Sequence, residues 1–410
     1  SIFEAMKVIE KGKERICFVI KENNELIRVI SDGDIRRAFL KSKLPSDLAK
    51  DIHSRKPIIS REDNIDKATS HLNKWLTIIP IVDIENKIIG LLRTHNFSSF
   101  QNIRQNSVMV IGLGYVGLTL SLILADNGFK VFGYDKDKKL VDSLLKINAP
   151  FYENGLENLL ETHLNNHFIP KKSSKDLNAE IYIVTVGTPI FHKNKKPNVD
   201  HIKKAVELVA YKLKKNDLII LRSTVPVGCT RNIVIPLIEN ISGLKVGQDF
   251  YIAFCPERTA EGLALKELRE LPQLVGGYDQ NSREVAMKFF NENTHTVIDV
   301  GSLESAEMCK LLDNTYRDTC FAYANQMALI TEKLGLNLKE LVSKVNLGYE
   351  RSKIPIPSPG VGGPCLSKDP YILQSNFSEY GIDCQVTSAA RKINESAPKN
   401  IYERCSKILS

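Results

Sequence analysis

The eight cysteines, at 17, 229, 255, 309, 320, 365, 384 and 405, include no CxxC pair, and no cluster combines them with histidines at metal-ligand spacing. No structural zinc is therefore expected, and the thiols are expected to stay reduced in a cytoplasmic protein. Long apolar runs are missing as well. The most apolar stretch, Ile111 to Ala125, contains three glycines and falls short of a bilayer-spanning helix; no signal peptide opens the chain, so a soluble protein is expected. Nor is there a long basic run or an interleaved aromatic platform. The net charge of +8, from 56 basic and 48 acidic side chains, is spread along the chain, which suits a phosphate-bearing ligand better than nucleic acid. With 410 residues the chain is long for one core, and two or three domains are expected.

What is present is a loop of unusual make-up, KIPIPSPGVGGPCLSKDPY at 353–371. Its five prolines fix φ at intervals, while Gly360, Gly362 and Gly363 let the backbone approach a partner closely, so Cys365 is presented on a shaped loop. Lys368 and Asp369 follow at once, and a neighbouring cation favours the nucleophilic thiolate. The other reading is an ordinary surface loop holding a free cysteine.

Residues 1–100 read as a small module built twice. The first copy runs from IFEAMKVIEKG through ICFVIK, the turn ENNE and LIRVIS into DGDIRRAFL; the second runs from PIISREDNIDKATSHLNK through IIPIVDIENKIIGLLRTHNF. This resembles a tandem pair of CBS domains, which implies binding of an adenine nucleotide. In VISDGDIRRAF, the resemblance places Ser31 and Asp34 where such modules hold ribose and phosphate, whereas the second copy has Arg93 and Asn96 there. Ser31 or Asp32 could equally cap the following helix, with Asp34 favouring its N-terminal dipole. The polar segment SSFQNIRQN at 98–106 reads as a linker.

From Ser107 the pattern becomes strand, glycine-rich turn, apolar helix and second strand: VMVIG, then Gly112, Gly114 and Gly117, then KVFGYD ending in Asp135. The first glycine makes the tight turn, the second lets backbone N–H groups reach a pyrophosphate, and the third lets helix pack on strand. Asp135 can accept both ribose hydroxyls of an adenosine, which favours NAD over NADP. Tyr115 and Val116, inside the same turn, belong to the expected cofactor contacts. Further strand and helix units follow at EIYIVTVGTP, 200–214, DLIILRSTVPVG and FYIAFCPER, so a doubly wound parallel sheet is expected. Its C-terminal strand ends carry Thr188, Ser223, Thr224 and Glu257, where this architecture places ligands. A long helix then begins near Leu303 and closes at Gly335; Glu307, Lys310 and Asn314 share one face, either its solvated side or the wall of a cleft.

With GLGYVGL, VTVGTP, STVPVG, CPERTAEG, EMCKLLDNTYRD and GVGGPCLSKDP in that order, residues 107–410 resemble the UDP-glucose/GDP-mannose dehydrogenase family; YENGLENLL and ARKINESAPKNI also fit. The resemblance implies an α/β chain of three parts: a CBS pair at 1–100, a Rossmann NAD-binding domain at 107–300, and a helical central domain at 301–410 that dimerises and carries the cysteine loop. It implies a four-electron oxidation of a nucleotide-sugar C6 hydroxyl to a carboxylate with two NAD⁺ and one water. Cys365 would hold the sugar as thiohemiacetal and thioester. Lys310 and Asn314 would stabilise the oxyanion, Asp369 and Thr188 would handle protons, and Glu257 would assist thioester hydrolysis. The stretch Pro256-Glu257-Arg258-Thr259 resembles the branch acting on UDP-N-acetylmannosamine or UDP-N-acetylglucosamine rather than on UDP-glucose. Members of the family continue into a second Rossmann-like domain that grips UDP, so the chain is expected to be part of a longer protein and, alone, to bind NAD with little turnover. Two other readings remain: a β-hydroxyacid dehydrogenase, which would form one NADH per substrate, and a nucleotide-sensing protein with an inactive dehydrogenase-like platform.

Overall fold

The structure is a computed structural model that describes residues 1–409 except 13–15, 53–59, 62–77, 94–102, 175–177, 364 and 378–380. Two compact units divide it, Ser1–Asn96 and Phe97–Ser410.

In the first unit, helix α1 (Ile2–Gly12) turns Ile2, Ala5 and Ile9 inward at helical spacing. They meet Cys17 of β1 (Ile16–Ile20), Ile30 of β2 (Leu26–Ser31), and Ile35 and Ala38 of α2 (Asp32–Leu40). The second hairpin is β4 (Ile78–Val82) with β5 (Ile88–Arg93), and the short β3 (Ser60–Arg61) runs parallel to β4. The expected internal repeat is visible down to its irregularities. Each hairpin has a register shift, at Val19/Ile20 and at Ile81/Val82, and each turns on a left-handed asparagine, Asn24 at φ 64° and Asn86 at φ 62°. The two turns also pair with each other, Leu26 N–H donating to the Asn86 carbonyl at 2.8 Å and Ile88 N–H to that of Asn24 at 3.1 Å. Most of PIISREDNIDKATSHLNK in the second copy, Asn96, and the Arg93 side chain lie outside the described residues.

The second unit alternates strand and helix: β6 (Val108–Ile111), α3 (Tyr115–Asp126), β7 (Val131–Tyr134), α4 (Lys138–Leu144), α5 (Leu156–His163), β8 (Phe168–Lys171), β9 (Ile181–Val184), α6 (Asp200–Ala210), β10 (Leu218–Leu221), α7 (Ile235–Ser242), β11 (Tyr251–Phe254), α8 (Ala264–Glu270), β12 (Gln273–Gly277), α9 (Gln280–Asn291) and β13 (Val297–Ser302). The sheet order is β13-β12-β11-β10-β9-β6-β7-β8. All neighbours are parallel except β11 and β12, so the expected parallel sheet carries one antiparallel step near its edge. Successive residues of β6 bury into opposite layers, Val108 and Val110 into one, Met109 and Ile111 into the other, which is why its sequence is apolar throughout. The order in which strands are added across the sheet reverses between the parallel neighbours β6 and β9, the point at which this architecture leaves a crevice at the C-terminal strand ends. The expected linker ends as part of this unit: Ile103, in a short 3-10 turn, is buried in its core, and Arg104 pairs with Glu292 at 2.7 Å.

Among the described residues, four helices complete the unit: α10 (Leu303–Lys333), α11 (Leu338–Val345), α12 (Asp369–Phe377) and α13 (Gln385–Leu409). Among the described residues, no helix is long and apolar enough to cross a membrane.

Candidate active site

The glycine-rich turn links β6 to α3 at the sheet's reversal point. Gly112 has φ +97°, and a Cβ at Gly117 would sit 1.8 Å from the Gly112 carbonyl oxygen, so helix and strand touch only because that side chain is missing. Gly114, at the N-cap of α3, faces open space, with nothing within 4 Å of its would-be Cβ. That gap sits over the free N–H groups of a helix start, which suits a pyrophosphate. Asp135 follows β7; its Oδ2 accepts from the Leu113 N–H at 2.8 Å and its Oδ1 from Asp137 N–H at 2.9 Å, which holds the carboxylate beside the turn. Across the crevice, Thr188 has a buried hydroxyl without a partner, and Ser223 is buried with its hydroxyl 3.4 Å from the Val184 carbonyl; Thr224 beside it is half-buried. An open cradle at Gly114 and an unpartnered hydroxyl at Thr188 fit a dinucleotide. Val116 lies half-buried in the first turn of α3. The Tyr115 hydroxyl donates to Glu153 at 2.6 Å and lies 3.2 Å from the Ala260 carbonyl, tying the glycine turn to the loop after β11.

The polar face of α10 is buried against neighbouring loops and is not its solvated side. Glu307, Lys310 and Asn314 are all buried, and each has a separate partner. Glu307 accepts from Gly228 N–H at 2.6 Å, Thr230 N–H at 2.9 Å and the Thr230 hydroxyl at 2.5 Å, fixing the loop after Ser223 and Thr224. Burial pushes its carboxyl up to about 7, against the pull of the Thr230 and Gly228 donors. Lys310 donates to the backbone carbonyl of Glu257. Asn314 Nδ2 donates to Asp369 Oδ2 at 2.5 Å, while Lys368 donates to Asp369 Oδ1 at 2.6 Å.

Asp369 starts α12, and its N–H donates to the Cys365 carbonyl at 2.9 Å, so the thiol sits one turn ahead of a fully buried carboxylate. Cys365 itself is exposed. Lys368 does pull the thiol's pKa down, as expected, but its pull is outweighed. The protein mass around the sulfur, and after it the Asp369 charge, push the thiol up against Lys310 and Lys368; Lys368 is also paired with Asp369. Glu261 adds to that upward push.

Glu257 has an arrangement its sequence gave no sign of. Its Oε2 accepts from Arg222 Nε at 2.9 Å and Nη2 at 2.5 Å, and its Oε1 from the N–H groups of Arg258 and Thr259, both at 2.7 Å. Burial alone would raise its pKa, but the Arg222 charge and these donors outweigh it and hold the carboxyl below its ordinary value. Four donors occupy the lone pairs of both oxygens, which leaves none to take up a proton. Arg222, braced further by Gln273 at 2.8 Å, reads in sequence only as part of a strand end. In the first unit, Ser31 and Asp34 are joined as a capping box, with Arg37 on Asp34 Oδ1 at 2.6 Å.

Comparison with known proteins agrees with this arrangement. Residues 106–294 match the NAD binding domain of the UDP-glucose/GDP-mannose dehydrogenase family, residues 304–396 match its central domain, and residues 1–41 match a CBS domain. The chain is 34% identical over 309 residues to a UDP-N-acetyl-D-mannosamine dehydrogenase of Campylobacter jejuni, which covers 74% of each protein. The structure of a UDP-D-ManNAc dehydrogenase from Pyrococcus horikoshii superposes with a TM-score of 0.69 at 31% identity, over 74% of this chain and 72% of that one. A 3-hydroxyisobutyrate dehydrogenase from Mycobacterium tuberculosis, at 17% identity and a TM-score of 0.53 over 71% of this chain and 93% of that one, shares the fold alone. With the glycine cradle, the buried lysine and asparagine of α10 and the cysteine loop all in place, the chain belongs to the UDP-glucose/GDP-mannose dehydrogenase family.

Proposed function

We propose that the protein oxidises the C6 hydroxyl of a UDP-N-acetylhexosamine, UDP-N-acetylmannosamine or UDP-N-acetylglucosamine, to the carboxylate. The observation that carries this is the meeting of Cys365, Lys310, Asn314 and Asp369 at the junction of α10 and α12. The Arg258-Thr259 pair after Glu257 and the similarity to mannosamine-type dehydrogenases favour the N-acetylated sugar over UDP-glucose.

NAD would be held by Gly112, Gly114, Tyr115, Val116, Gly117, Asp135, Thr188, Ser223 and Thr224, and when bound it supplies the hydride acceptor, twice per sugar. The Cys365 sulfur would add to the C6 aldehyde as a thiohemiacetal, retaining the half-oxidised sugar; after the second oxidation the resulting thioester would be cleaved by water, freeing thiol and carboxylate. Lys310 and Asn314 would donate to the C6 oxygen as it gains negative charge, in a site where both are already oriented. Asp369 would take the hydroxyl proton, with Thr188 ordering water. Glu257, bound by Arg222, would act on hydrolysis through the electrostatic field it shares with Lys310. The CBS unit would take an adenine nucleotide, and calorimetry of the NAD-saturated protein with AMP and ATP tests that; no heat from either removes it.

The substrate is tested with NAD and a panel of UDP-N-acetylmannosamine, UDP-N-acetylglucosamine and UDP-glucose, reading NADH and the product mass. Preferred conversion of an N-acetylated sugar to its uronic acid is expected. Preference for UDP-glucose would replace the substrate and leave the chemistry standing.

A further inference from the structure

A line of buried hydrogen bonds joins the two ends of the cysteine loop through helices α10 and α13. At the near end, the Ser358 N–H donates to Asn325 Oδ1 at 2.8 Å. Asn325 Nδ2 donates to Asn394 Oδ1 at 3.0 Å, and Asn394 Nδ2 donates to Asp318 Oδ1 at 2.8 Å and to its carbonyl at 2.9 Å. Arg391 Nη1 donates to Asp318 Oδ1 at 2.6 Å and, at the far end, to the carbonyl of Leu366 at 3.1 Å. Leu366 is the residue after Cys365. Asp318, Asn325, Arg391 and Asn394 are each no more than 6% exposed, so the chain of bonds runs through the helical interior. The loop also lies close against α13, for a Cβ at Gly360 would come within 3.0 Å of Pro398.

We propose that Arg391 is a positioning residue for the nucleophile: fixed by Asp318, which Asn394 holds in turn, it holds the Leu366 carbonyl and so sets where the turn presents the Cys365 sulfur. A buried ion pair is a costly way to join two helices, since apolar side chains of similar volume commonly serve stability as well. A guanidinium, however, has several donors in a rigid fork, so one group can bind a carboxylate and a backbone carbonyl together. That second bond reaches the loop and not a helix. The role in sugar oxidation rests on the function proposed above; the placement of the sulfur does not.

The experiment follows alkylation of the whole chain by iodoacetamide, with mass spectrometry of peptides reporting Cys365 and, as an internal reference, the exposed Cys405 near the end of α13. In the native protein the surroundings of Cys365 and the Asp369 charge keep the thiol protonated. A released turn moves away from both, so in Arg391→Ala the ratio of Cys365 to Cys405 alkylation at pH 7.5 should rise roughly threefold or more. Arg391→Lys, which keeps the charge beside Asp318 but not the fork, should raise it less and serves if the alanine variant does not fold. Affinity for NAD should be unchanged in both, and turnover, where measured, should fall in kcat with the KM for NAD retained. An unchanged ratio in a folded variant, or equal acceleration of both cysteines, would overturn the proposal. A changed ratio would sustain the positioning role whichever sugar nucleotide is oxidised, so this proposal and the proposed function fail separately.

Discussion

Gly114 and Gly117 stand three residues apart in one turn, yet a methyl group at the first would meet nothing within 4 Å and at the second would meet the Gly112 carbonyl at 1.8 Å. Substitution should therefore separate binding from folding. Gly114→Ala is expected to keep the native melting temperature and lose about tenfold or more in NAD affinity by calorimetry, as about 1.4 kcal/mol of lost contact gives. Gly117→Ala is expected to lower the melting temperature itself; equal stability of the two variants would contradict this. Arg222 supplies another residue-level test. Removing it leaves the Glu257 carboxylate buried and without its cation, so Arg222→Met should cost about 3–5 kcal/mol in denaturant unfolding. A loss below about 1 kcal/mol, the level of an exposed pair, would show that the carboxylate is not dependent on it. The proposed reactive groups could be named from the sequence because Cys365, Lys310 and Asn314 stand in motifs with a chemical reason for their spacing. Arg222, Asp318 and Arg391 were not, because each acts on a partner between 35 and 73 positions away, and no local pattern records such a pairing.

At the scale of elements, α10 holds the site together by burying a polar stripe that a surface helix would hydrate. Glu307 is the part of that stripe whose charge is least at ease. Folded, it keeps its proton until about pH 7, whereas unfolded it releases it near its ordinary 4.5. Between those values the folded state binds more protons, so its contribution to stability falls as pH rises and is constant above about 7; the slope approaches about 1.4 kcal/mol per pH unit. Asp217, also raised to about 7 by burial, adds a fall of the same sign. Denaturant unfolding at pH 5 and pH 7 should therefore show a larger loss for the native protein than for Glu307→Gln, and parallel losses would contradict the assignment. The strands that sequence reading passed over were β8, β12 and β13. FIPK and QLVGG carry proline or glycine, and VIDVGS lacks an apolar run, so they look like connections; pairing along the sheet, not propensity, makes them strands.

For the whole molecule, the side of α10 opposite the buried stripe bears exposed Leu312, Tyr316, Tyr323 and Ile330 at spacings of four and seven. We propose that a second copy covers this face. Sedimentation should then give a dimer, and Tyr316→Glu with Tyr323→Glu a monomer; a monomeric native protein would contradict it. The two-hairpin repeat and the doubly wound sheet were readable from the alternation of strands, turns and helices, whereas the chain of bonds behind the cysteine loop depends on helices distant in sequence. The central claim is that Cys365 retains a half-oxidised sugar until a second hydride has left. Its most direct measurement is the number of NADH formed per UDP-N-acetylhexosamine consumed by the purified enzyme. Two per sugar, with a uronic acid as product, is the predicted result; one per sugar, with an aldehyde or ketone released, would contradict it.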